Sequence, residues 1–181
     1  AGTRPRGSTS ENDAELLRDL MYSEKDRSEN IITGKFIKDA FDALKREGLL
    51  ENDEEGSNVD TDGDEVFFIR RLRHLQHICQ SLEGVMKDRQ LTVDVTRSLL
   101  EKLHPTPAVC GYPGVAGLQF IRDYETSNFD RGMYAGPFGC IGKDLSDIIV
   151  AIRSGLLTRN TDGSASSTLS IYAGAGIVPG S

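Results

Sequence analysis

Between Ser23 and Gly48 the apolar residues Ile32, Phe36, Ala40 and Leu44 recur every four positions, flanked by Thr33, Ile37 and Phe41. Only an α-helix gathers that set on one face, so the chain must pack one long helix against something else. Ser23 offers an N-cap with Asp26 three residues on, and Gly48 can end the helix shortly after Arg46. Run backwards at the same spacing, the stripe passes through Glu29 and Asp26. Carboxylates on an inward line need a cation or water, because a buried charge is costly unless paired. On spacing alone the simpler solution is a frayed helix start, with both acids in water and favoured by the helix dipole.

A shorter helix precedes it at "ENDAELLRDLM" (11–21), and others are expected at "DVTRSLLEKL" (94–103) and "GVAGLQFIRDYE" (114–125). Between them, "VFFIRRLRHLQHI" reads as one strand of imperfect alternation, on which His74 and His77 would face opposite ways and share no metal. "HPTPAVCGYP" reads as a proline-punctuated loop. The final third changes period. "GMYAGPFGCIG", "DIIVAIRSGLL" and "STLSIYAGAGIV" are three β-type runs separated by turn signals, most economically joined as an antiparallel meander. Arg153 falls inside the apolar run of the middle strand, where it either snorkels to water or holds a carboxylate in its planar fork. Gly174 and Gly176 alternate onto one face of the last strand, which implies a close neighbour to the backbone.

The chain has 181 residues, 38% hydrophobic and 27% charged, enough for one domain with a sizeable core. Its net charge of −7 argues against a nucleic-acid surface. Cys79, Cys110 and Cys140 make no metal or disulfide pattern and read as free thiols. No apolar run approaches a membrane span, so no membrane partner is expected and a soluble protein is. The acidic stretch at 51–65, "ENDEEGSNVDTDGDE", has no core-forming pattern, fails the glycine and glutamate positions of a calcium loop, and is expected to be a disordered insertion.

Seven ordered segments, "AGTRPRG", "SEKDRSEN", "LQHI", "LHPTPAVCGYP", "FDRGMYAGPFG", "VAIRSGLL" and "YAGAGIVPGS", resemble the chorismate-utilising enzymes, and most closely the isochorismate synthases among them. The likeness covers the whole chain except the acidic stretch. It implies an α+β fold, part of an α/β sandwich of two largely antiparallel sheets with helices outside. It also implies that residues 1–181 are a partial catalytic domain, truncated at both ends.

By that resemblance, Mg²⁺ holds the ring carboxylate of chorismate, with Glu29 as a ligand and Asp26 behind it as a second-shell or water-mediated partner. Gly2 and Thr3 match the turn lining the substrate pocket. Tyr134 and Arg153 match the pair that takes the enolpyruvyl carboxylate. Gly174 and Gly176 match a strand whose bare backbone lies against the substrate, and His77 matches a histidine beside the ring. Ala108 stands where anthranilate and salicylate synthases have threonine, which points to water addition at C2 with loss of the C4 hydroxyl.

The family's general base, a lysine, and general acid, a glutamate, match nothing in these residues and are expected upstream. The product is expected to feed quinone (menaquinone or phylloquinone) or salicylate biosynthesis. A fusion or association with later menaquinone-pathway enzymes is a further expectation, and the compartment is open between cytoplasm and plastid. An anthranilate- or aminodeoxychorismate-type synthase, or a non-catalytic remnant of the family, are the alternatives.

Overall fold

The long helical stripe forms as its spacing dictates. In the computed structural model, which describes residues 2–52, 67–88, 92–125, 127–142, 145–160 and 166–176, α2 spans Glu24–Arg46. Ser23 Oγ accepts from Asp26 N at 3.2 Å to cap its start. Its end is a Schellman turn: Gly48 has φ +76°, Leu49 N donates to Leu44 O, and Gly48 N donates to Lys45 O, each at 3.0 Å. Helix α1 (Ser10–Tyr22) runs up to it, capped by Thr9.

Both helices cover a three-stranded antiparallel sheet of β1 (Thr3–Pro5), β2 (Phe68–Arg71) and β3 (Leu75–Cys79), in the order β1-β3-β2. Here the sequence expectation is corrected. Within the described residues 67–78 the run is a hairpin rather than one strand, because Arg71–Leu75 turns with Leu72 N donating to Leu75 O at 2.8 Å. His74 therefore sits in the turn, and only His77 faces across the sheet from Thr3. Alternation on β3 sends Gln76 and Ile78 to the helix side, where Ile78, Leu20 and Leu44 are fully buried and Leu50 nearly so. This is the core. Burying each leucine stabilises the fold by about 1.5–3 kcal/mol.

Helix α3 (Val93–Leu103) packs on α2. The segment expected as a plain loop contains a four-residue helix, α4 (Pro107–Cys110), also against α2. Helix α5 (Gly114–Phe120) continues into a π-helical turn at Ile121–Glu125.

The last third holds four strands in two separate hairpins among the described residues, not a three-strand meander. β4 (Pro137–Ile141) pairs with β5 (Ser146–Val150), and β6 (Gly155–Arg159) pairs with β7 (Ser167–Ile171). The middle run breaks at Ala151–Ser154, where Arg153 adopts φ +54° and ends the ladder. Residues 172–176 lie beyond β7, so Gly174 and Gly176 are not on a paired strand. The architecture is α+β, helices with antiparallel sheets. From residue 53 onwards the acidic 51–65 stretch lies outside the described residues.

Candidate active site

Strand β1 reaches the first turn of α2 only because Gly2 has no side chain. A Cβ there would lie 2.5 Å from Asp26 Cβ, well inside van der Waals contact. Two residues on, Arg4 donates from Nε to Asp19 Oδ2 at 2.5 Å and pairs through Nη2 with Asp26 Oδ2 at 3.0 Å. The inward carboxylate of Asp26 is thus matched by an arginine. Arg6 repeats the pattern with Asp13, at 2.8 and 2.9 Å, and Gly7 N adds a 2.8 Å bond. The arginine, followed by the backbone amide, lowers the Asp13 carboxyl to about 2. The alternating arginines of "TRPRG" clamp β1 to both helices; their signal in the sequence was an Arg at every second strand position.

The same strand pairs Thr3 with His77. Thr3 Oγ1 is 2.7 Å from His77 Nδ1, and Arg153 Nη1 is 3.3 Å from His77 Nε2. A guanidinium can only donate, so Nε2 accepts and the ring proton is on Nδ1, donating to Thr3 Oγ1. The ring is 93% buried as a residue, with 7% exposure. Burial first, then the positive charge of Arg153, pushes its titration below the ordinary 6.5. Both effects keep it neutral. Three segments more than seventy residues apart meet at this imidazole.

Arg153 itself is exposed and holds a left-handed φ that costs a non-glycine residue on the order of 1–3 kcal/mol. Such strain persists only where neighbours enforce it. Ala151 N donates to Gly136 O and Ala135 N to Ala151 O, each at 2.9 Å, while Tyr172 N donates to Ser154 O at 3.0 Å. These bonds bind the Arg153 corner to the turn that carries Tyr134. The half-buried Tyr134 ring stacks on Tyr172 with centroids 5.7 Å apart. A Cβ on Gly174 would lie 2.2 Å from Tyr134 Oη, whereas one on Gly176 meets nothing within 4 Å. The close neighbour of Gly174 is therefore the tyrosine hydroxyl, and Gly176 borders open space.

Ala108 is exposed on α4, and Glu29 is half-buried on α2 one turn after Asp26. Glu29 O accepts from Thr33 Oγ1 at 3.0 Å. Among the described residues no group of three or more His, Cys, Asp or Glu side chains converges in a metal-holding arrangement. Mg²⁺ keeps several waters and needs one or two protein carboxylates. With Asp26 paired to Arg4, Glu29 fits as a single contribution to such a site, and these residues do not make a cage by themselves.

The sequence reading passed over the pairings made by Arg4, Glu125 and Arg131. Arg131 donates to both oxygens of Glu125 and to Val109 O. Arg4 and Arg131, each beside a proline or glycine, read as solvated turn residues, and Glu125 read as the polar end of a helix.

A family model described as "Chorismate binding enzyme" matches residues 1–181. This chain belongs to the chorismate-binding enzyme family. It is 36% identical over 181 residues to the chloroplastic isochorismate synthase of Catharanthus roseus, covering all of this chain and 27% of that protein. It is 30% identical over 179 residues to anthranilate synthase component 1 of Saccharolobus solfataricus, covering 98% of this chain and 37% of that one. The solved structure of the menaquinone-specific isochorismate synthase from Escherichia coli superposes with a TM-score of 0.66 at 27% identity, covering 100% of this chain and 36% of that chain. The chain thus spans about a quarter to a third of the length of the relatives it matches.

Proposed function

We propose that this chain is the part of an isochorismate synthase that receives chorismate, and that the protein containing it interconverts chorismate and isochorismate. The observation that carries the reading is the meeting of Thr3, His77 and Arg153 in one hydrogen-bonded line. An exposed arginine in a strained corner, beside a neutral imidazole and near a half-buried tyrosine, suits a carboxylate arriving from solvent. The names of the relatives support the same class, and Ala108 favours water over ammonia as the incoming nucleophile.

In this reading Arg153 takes the enolpyruvyl carboxylate in its planar fork, with the Tyr134 hydroxyl as a second donor. The neutral His77, its tautomer set by the Arg153 donor and its Nδ1 proton taken by Thr3, accepts from the guanidinium and so orients it without competing for the anion. Gly176 leaves its backbone open on one side, while Gly2 lets the strand that carries Thr3 close onto α2. Glu29 offers one carboxylate to Mg²⁺, which when bound neutralises the ring carboxylate and acts as Lewis acid and template. Proton transfer to and from the ring is assigned to the lysine and glutamate that the family resemblance puts outside these residues.

Arg153→Ala in the full-length protein tests the assignment. Removing one partner of a charge-assisted bond costs about 2–5 kcal/mol, so kcat/KM for chorismate should fall about a hundredfold with unchanged circular dichroism. Unaltered kcat/KM would take Arg153 off the substrate. The competing reading, an anthranilate-type synthase, is favoured by the 30% identity to the Saccharolobus protein. It predicts anthranilate formed only when ammonia is supplied.

A further inference from the structure

We infer that Arg131, held in place by Glu125, is a positioning residue that sets the Ala108 segment against Tyr134; this deepens the chorismate reading and rests on it. The Arg131 guanidinium donates to both oxygens of Glu125, the Nη2 to Oε1 bond being 2.6 Å, and donates from Nη1 to Val109 O at 3.1 Å. Both side chains are largely withdrawn from solvent, at 26% and 16% exposure. A helix as short as α4 leaves terminal carbonyls without intrahelical donors. Arg131 supplies one to Val109, the residue after Ala108.

The backbone of the same residue does the second half of the work. Arg131 O accepts from Tyr134 N at 2.9 Å, opening the turn that presents the tyrosine. Gly132, at φ +54° with its N–H bonded to Asp130 Oδ1 at 2.8 Å, lets the chain fold that tightly. One residue therefore grips the Ala108 segment by its side chain and the Tyr134 turn by its main chain. Glu125, at the end of the π-helical turn, completes a planar fork that no other basic side chain reproduces. Lysine has a single ammonium and cannot serve two carboxylate oxygens and a carbonyl in one plane.

The test compares Arg131→Lys and Glu125→Gln with wild type in the full-length protein. KM and kcat are measured for chorismate with Mg²⁺, alongside Tm. The expected result is a KM raised at least tenfold in Arg131→Lys, with kcat changed less than threefold. A smaller rise in the same direction is expected for Glu125→Gln, which keeps the side-chain shape and guards against a misfolded lysine variant. Exchanging the two residues, Arg131→Glu with Glu125→Arg, should recover Tm but not KM, because Val109 O still lacks its donor.

A lowered Tm with wild-type KM in both single variants would reduce the pair to a structural clasp and overturn the inference. A full-length wild type that turns over no chorismate would overturn the functional reading, and this inference with it. An active wild type with unaffected variants overturns this inference alone.

Discussion

At His77 a single ring nitrogen decides the electrostatics of the site. Thr3 and Arg153 leave the imidazole one tautomer, and burial with the arginine charge holds it neutral. A group whose folded titration lies below its unfolded value stabilises the fold fully above that unfolded value and loses the contribution as pH falls through the folded one. For His77 the loss begins below about 6.5, where protonation turns the Arg153 contact into two facing donors. Histidine NMR titration should therefore give a midpoint below 6.5, and Arg153→Ala should move it upward by removing a like charge. His104, lowered by burial alone, should not move with it. A His77 midpoint that stays put in Arg153→Ala would mean the 3.3 Å contact does not form.

Among the elements, α2 was the most legible, because its stripe, cap and stop are all local. Ser23, Asp26 and Gly48 act within one turn of themselves, and the helix runs where they put it. Gly48→Ala forces a side chain into φ +76° and should cost about 1 kcal/mol in urea unfolding of the full-length protein, after the partial offset from a stiffer unfolded chain. An alanine variant as stable as wild type would show that the Schellman turn does not bound the helix. The strands were less legible. The turn inside 66–78 carries no glycine or proline, so Leu72–His74 read as a continuing strand. The break at Arg153 is imposed by tertiary bonds from Gly136, Ala135 and Tyr172, which local pattern cannot announce. The site followed suit: its residue types and order came through the family resemblance, whereas the arginine pairing of Asp26 and the Tyr134–Gly174 contact depend on approaches between distant segments.

Among the described residues the fully buried hydrophobic side chains, Leu20, Leu44 and Ile78, gather on the α1–α2 side of the three-stranded sheet. β4, β6 and β7 are exposed along their lengths, with Phe138, Leu157, Leu169 and Ile171 all more than half exposed. Apolar faces of that extent mark surfaces that bind other protein or drive association. These 181 residues expressed alone should bind a hydrophobic dye strongly and elute as aggregates, while the full-length protein does neither. A dye-silent monomer from the 181 residues would contradict that. The catalytic claim is reached most directly by product identity: full-length protein is incubated with chorismate and Mg²⁺, with and without ammonium, and the products are separated by chromatography. Isochorismate is expected in both, approached from either direction and lost in Arg153→Ala; anthranilate appearing only with ammonium, or no conversion at all, would contradict an isochorismate synthase.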